Sequence, residues 1–252
     1  MSLLRVESLS KSFGGVHAIE ELSFEIKPGT IHSVIGPNGA GKTTLFNLIT
    51  ALYKPTTGKI FLADQDINGK KPYQLARLGM SRTFQNLQIC MNMTAVENVM
   101  VGRHLHLNSN FLCAMFRLPQ VVNGDRACRE KAAGLMEFVG TGKYVHADAN
   151  AMPYGALKRL EIARALAAEP KILLLDEPAA GLNASETGEI DQLIQKIAET
   201  GVTVVLVEHD MKLVMHISDY LLVLNFGKKL AEGTPDEIRA NPEVIAAYLG
   251  TS

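Results

Sequence analysis

Cysteine is scarce in this 252-residue sequence: Cys90, Cys113 and Cys128 stand far apart, with no Cys-x-x-Cys pair among them. An odd, scattered set suggests neither a disulfide framework nor a zinc ribbon, and fits a reducing compartment. Long apolar runs are missing too. Ile172 to Leu175 and Val202 to Val207 are among the longest, far below the roughly 18 residues that a spanning helix needs. Arg5, Glu7 and Lys11 interrupt the first twelve residues, so no signal peptide is expected and the chain is expected to stay in the cytosol. Charge of one sign is not in excess, since 25 basic and 26 acidic side chains give a net charge of -1. No global field draws the chain onto nucleic acid or anionic lipid, and no nucleic-acid partner is expected. What remains is 47% hydrophobic and 20% charged, the composition of a soluble globular protein with enough chain to bury a sizeable core.

The apolar pattern alternates between two periods. Leu22 to Ile26 and Ile31 to Ile35 read as strands around a Pro28-Gly29 turn, and Leu45, Phe46, Leu48 and Ile49 follow at helical spacing. A strand is expected over Lys59 to Leu62 and a helix over Pro72 to Leu78. From about Leu87 to Pro153 the pattern turns helical, through Thr94 to Leu107 and Asp125 to Val139. Helices over Gly155 to Ala168 and Ser185 to Glu199 then feed apolar runs at Ile172 to Asp176 and Thr203 to Glu208, with a further strand at Leu221 to Leu224. Continuous apolar strands alternating with helices imply an α/β fold with a parallel sheet covered on both faces. The expected division is a nucleotide-binding core at 1–88 and 154–235, an inserted helical subdomain at 89–153 and a helical tail at 236–252.

Two segments carry chemistry of their own. Gly36-Pro37-Asn38-Gly39-Ala40-Gly41-Lys42-Thr43 fits G-x-x-x-x-G-K-[ST] between a strand and a helix. In that setting glycines let backbone N–H groups turn around phosphate oxygens, the lysine reaches the β and γ phosphates, and the threonine hydroxyl suits Mg2+. Ile172 to Asp176 ends in Asp176-Glu177. Asp176 can hold Mg2+ through water and Glu177 can orient or deprotonate an attacking water, although an acidic pair at a strand end alone also reads as a helix cap or solvated turn.

The order of these segments resembles the ATP-binding subunit of an ABC transporter over essentially the whole chain. That resemblance implies a P-loop NTPase fold of RecA-like type, with a mostly parallel sheet, an N-terminal antiparallel β part and a helical insertion. It also implies a Mg-ATPase, working as two subunits that sandwich two ATPs on membrane permease subunits. Thr44 joins the phosphate loop, Gln85 in Arg82-Thr83-Phe84-Gln85-Asn86 stands at the glutamine that ligates Mg2+, and His209 stands at the histidine that meets the γ-phosphate. Phe13 stands where the family stacks an aromatic on adenine, with a core phenylalanine as the rival reading. Met152-Pro153-Tyr154-Gly155-Ala156 occupies the signature position that caps the partner's nucleotide. Pro153 and Ala156 depart from the family's serine and glutamine, while Tyr154 and Gly155 remain; the nucleotide facing this surface is expected to be held more weakly.

Arg82 to Asn86, Glu177 to Asn183, Glu208 to Met211 and the tail from Gly233 to Leu249 are similar to the ATPases of branched-chain amino-acid importers. The implied function is ATP hydrolysis driving amino-acid import from the cytoplasmic face of the inner membrane, with a solute-binding protein as an indirect partner. The helical insertion, including Phe111-Leu112-Cys113-Ala114-Met115-Phe116, is the expected docking surface, with a core segment as the rival reading of those six apolar residues. A regulatory, low-turnover nucleotide-binding subunit is the alternative, and homodimer and heterodimer both stay open. His104 and His106, two apart, are expected on different sides of a helix and not as metal ligands.

Overall fold

The computed structural model describes residues 2–106 and 119–249; the segment expected to dock, Phe111 to Phe116, lies outside them. The chain forms two compact units, one of residues 1–82, 171–179 and 191–252 and one of residues 83–170 and 180–190. The first holds both sheets. Strands β1 (Leu4–Phe13), β2 (Val16–Ile26), β4 (Thr57–Leu62) and β5 (Gln65–Asp66) make an antiparallel sheet in the order β2-β1-β4-β5. Strands β3 (Ile31–Ile35), β6 (Met80–Arg82), β7 (Ile172–Asp176), β8 (Thr203–Val207), β9 (Tyr220–Asn225) and β10 (Lys228–Gly233) make the second, in the order β10-β9-β3-β8-β7-β6. Its strands run parallel except β10, which pairs antiparallel with β9.

Every residue of β3, β7 and β8 is buried, as continuous apolar strands require when both faces of a parallel sheet are covered. On one face, Val34, Leu174, Val205, Val207 and Leu222 join a core with Leu4, Leu22 and Ile60 of the antiparallel sheet and with Leu45, Phe46 and Ile49 of helix α1 (Lys42–Ile49). On the other, Ile35, Leu221 and Val223 pack with Val214 of α7 (Met211–Ile217), Ile238 of α8 (Pro235–Ala240) and Val244 of α9 (Pro242–Leu249). The Pro28-Gly29 turn leads from one sheet into the other, so β2 and β3 do not pair as a hairpin; the Gly29 N–H donates to Thr203 Oγ1 at 2.8 Å.

Helix α2 (Pro72–Arg77) belongs to the first unit, while helices α3 (Ala95–Gly102), α4 (Pro119–Phe138) and α5 (Tyr154–Leu166) build the second, with α3 packed on both of the others. The expected start of the second core segment at residue 154 therefore needs correcting. Leu160 and Ala163 of α5 are fully buried, and that helix groups with the helical unit; the core resumes at Lys171. Among the described residues, no helix is long and apolar enough to cross a membrane.

One buried group on β3 titrates. His32 is 4% exposed and stacks on Tyr220 with ring centroids 5.5 Å apart. Burial holds its imidazole at about 4 instead of 6.5, outweighing the Asp219 carboxylate, which pulls the other way. The unfolded chain takes up a proton as pH falls through 6.5 and the folded chain does not until about 4, so this stability is present above 6.5 and lost between those values. From pH 7 to pH 5 the protein is expected to lose about 2 kcal/mol more than a His32→Phe variant, read from urea midpoints. Equal losses would show that another group titrates.

Candidate functional site

The loop between β3 and α1 needs glycine for steric reasons. A Cβ on Gly36 would lie 2.2 Å from the Leu224 carbonyl oxygen, and one on Gly41, at φ 103°, would lie 2.6 Å from the Ala18 oxygen. Gly41 caps α1 without a side-chain hydrogen bond, and the first turn carries no acid. Its first N–H groups and the positive end of the helix dipole are thus left to an outside anion. Lys42 is buried, and its Nζ donates to the carbonyls of Gly36 at 2.6 Å and Pro37 at 3.0 Å. Burial pulls this ammonium below its ordinary range, and the Glu177 carboxylate counters the effect. Asn38, Gly39 and Thr43 are exposed, Pro37 and Thr44 half-buried, and Ala40 buried.

At the end of β7 the two acids part. The Asp176 carboxylate is buried and takes a hydrogen bond from Arg82 Nη2 at 2.6 Å. Arg82 also donates through Nη1 to Asn47 Oδ1 at 2.7 Å and Thr50 Oγ1 at 3.0 Å. Glu177 takes a left-handed φ of 49° while its N–H donates to Val207 at 2.9 Å. That conformation is uncommon for a residue with a side chain. It turns the carboxylate off the strand, where Oε1 lies 2.8 Å from Nε2 of the exposed His209. Buried Glu208 joins the two ends, accepting from the Ala179 N–H at 2.8 Å and the His209 N–H at 3.0 Å. Burial pushes the Glu208 carboxyl up, its backbone hydrogen bonds pull it back, and the charge on Glu177 adds to the rise.

The sequence reading missed Arg82, Asn47, Thr50 and Glu208 as site residues. Arg82 and Glu208 each stand inside a motif quoted for another residue, and no spacing rule connects positions 82 and 176.

Phe13 ends β1 and is 43% exposed, with its ring edge-on to Tyr53 at 5.3 Å and beneath the Lys11 ammonium at 4.8 Å. It is not a core phenylalanine. The remaining expected site residues belong to the second unit. Gln85 is exposed, and its carbonyl accepts from Lys158 Nζ at 3.3 Å. Pro153 precedes α5 at φ -61° and ψ 152°, a position where the ring fits and the missing N–H costs no helical bond. Tyr154 opens the helix half-exposed and donates its hydroxyl to the Ala180 carbonyl at 3.5 Å. Gly155 faces Glu186, whose Oε1 would lie 2.5 Å from an added Cβ. Ala156 is 3% exposed, so a glutamine placed there would have to be buried. Asn183 caps α6 (Ala184–Glu199) by accepting from the N–H groups of Ser185 and Glu186 at 3.0 Å. His104 and His106 sit in a 3-10 turn with ring nitrogens against the carbonyls of Val101 and Ala168.

The phosphate loop, acidic strand end and histidine thus assemble within one unit. Residues 19–180 match the family model described as "ABC transporter". The chain belongs to the ABC transporter family. It is an ABC ATPase. The tail, residues 228–252, matches a second family model, "Branched-chain amino acid ATP-binding cassette transporter". The chain is 48% identical over 249 residues, 98% of each protein, to the high-affinity branched-chain amino acid transport ATP-binding protein BraF of Pseudomonas aeruginosa. To LivG of Escherichia coli K12, which bears the same description, it is 45% identical over 249 residues, again 98% of each. Among solved structures, the ADP conformation of an ABC transporter's ATP-binding cassette is similar at a TM-score of 0.86 and 31% identity, covering 99% of both chains. Relatives that are transport ATP-binding proteins do not favour the regulatory, low-turnover alternative.

The donor set around the ABC ATPase loop fits the family's ligands. Gly39 has nothing within 4 Å of a Cβ position, which leaves the outer side of the loop open to phosphate. The Thr43 hydroxyl and Asp176 carboxylate are hard oxygen donors of the kind Mg2+ takes. No group of three or more His, Cys, Asp or Glu able to hold a metal occurs among the described residues.

Proposed function

We propose that the chain is the ATP-hydrolysing subunit of an importer for branched-chain amino acids. In this reading two cassettes close on ATP against permease subunits at the cytoplasmic face of the inner membrane, and a solute-binding protein delivers the cargo. One observation carries it: the similarity to BraF runs through both the cassette and the tail that the second family model matches.

Residues 36–44 cradle the phosphates, with Lys42 supplying fixed charge at the loop. Phe13, exposed and flat-faced, stacks on adenine. Glu177 orients and deprotonates the attacking water, and His209 donates its one N–H to the γ-phosphate. Thr43 and Asp176 would hold Mg2+, which would supply charge neutralisation on the phosphates. Tyr154, Gly155 and the N-terminus of α5 face the nucleotide of the second cassette, whether identical or different.

The test is coexpression with candidate permease subunits, copurification, and reconstitution into vesicles with the solute-binding protein enclosed on the appropriate side. ATP-dependent uptake of leucine, isoleucine or valine is expected, and it should stop when ADP replaces ATP. Uptake of an unrelated solute with no response to these amino acids would overturn the cargo assignment while leaving the ATPase intact.

A further inference from the structure

We propose that Arg82 is a positioning residue for ATP hydrolysis: its guanidinium fastens the Asp176 carboxylate to the helix that carries Lys42 and Thr43. The inference rests on the reading of Thr43 and Asp176 as the Mg2+ side of the site.

Three observations support it. First, Arg82 and Asp176 side chains are each 7% exposed and meet at 2.6 Å. A buried ion pair is weak evidence for stability, because well-packed apolar residues often do as well. Its presence at the end of the strand that carries the acids points to what it orients. Second, the fork of the guanidinium is divided. Nη2 holds Asp176 on β7, while Nη1 reaches Asn47 and Thr50 at the end of α1. Third, Asn47 and Thr50 stand four and seven positions after Thr43, so all three share one face of the helix. The guanidinium also lies 5.5 Å from the ring centroid of Phe46, which is fully buried. The hydroxyl of Thr43 and the carboxylate of Asp176 are therefore the two ends of one braced path, and planar Arg82 sets its length. A lysine could reach Asp176 but has no rigid fork with which to hold α1 at the same time.

The experiment compares Arg82→Met, Arg82→Lys, Asn47→Ala and Asp176→Asn in the full chain. ATP affinity is measured by equilibrium dialysis in EDTA and in Mg2+, and turnover is measured against Mg2+ concentration at saturating ATP. Arg82→Met is expected to bind ATP in EDTA within about twofold of the parent, because the phosphate loop is untouched. Its half-saturating Mg2+ should rise about tenfold, with loss of the affinity gained on adding Mg2+, as expected when about 1.4 kcal/mol of orientation is lost. Arg82→Lys should recover part of this, and Asn47→Ala should show a smaller shift of the same sign. If Asp176→Asn loses the Mg2+ response while a folded Arg82→Met keeps it, the positioning role is overturned and the site reading stands. If Asp176→Asn keeps the Mg2+ response, the site reading itself fails. Should Arg82→Met not fold, Asn47→Ala decides: a parental Mg2+ response there overturns the proposal.

Discussion

Glu177→Gln is expected to lower ATP turnover by about two to four decades while leaving ATP bound. The substitution keeps size and a hydrogen-bonding side chain at the turn where Oε1 meets His209 Nε2 at 2.8 Å, but the amide cannot accept a proton from water. The backbone should not change, because its left-handed turn is set by the bond from the Glu177 N–H to Val207 and by Glu208 holding Ala179 and His209. With hydrolysis blocked and ATP retained, closed pairs should accumulate. Single-turnover phosphate release gives the rate, and size-exclusion chromatography in Mg-ATP gives the pairing. A Gln variant that turns over at the parental rate would show that Glu177 only shapes the strand end.

Lys42→Ala should act earlier, on binding. Its Nζ is held at 2.6 Å and 3.0 Å from two loop carbonyls, so the charge is fixed beside the loop before any phosphate arrives. Each charge-assisted hydrogen bond to phosphate is worth roughly 1.5 to 3 kcal/mol. Loss of one or two such bonds should weaken ATP by about one to four decades. The fold should persist, since Leu45, Phe46 and Ile49 still bury the helix. Equilibrium dialysis against ATP, with far-ultraviolet circular dichroism as the folding control, reads both. Unchanged affinity would remove Lys42 from the phosphate site.

The parts of this molecule that were legible in its sequence are those whose physics is local. β3, β7 and β8 announce themselves as unbroken apolar runs, and the phosphate loop as glycines between a strand and a helix. β1 was missed because its register with β2 shifts three times, between Val6 and Leu9, Leu9 and Lys11, and Lys11 and Ser12, which breaks the two-residue alternation that marks a strand. β10 carries no strand pattern because Lys228 and Lys229 open it on an exposed edge, where a charged strand protects the sheet from further pairing. Helix α7 spans seven residues, too few for a clear period. The brace from Arg82 to Asp176 joins residues 94 positions apart. Only the register of β6 against β7, which places Arg82 beside Leu174, brings them within reach.

The left-handed backbone at Glu177 sets stability against turnover in how this position can change. An L-residue with a side chain gives up roughly 1 to 2 kcal/mol in that conformation, and glycine adopts it freely. Selection for a sturdier fold alone thus favours glycine, or the short asparagine, at the strand end. The proposed hydrolysis needs a carboxylate there, which works against that preference. Among variants of this cassette, gains in melting temperature located at position 177 are expected to come with lost turnover.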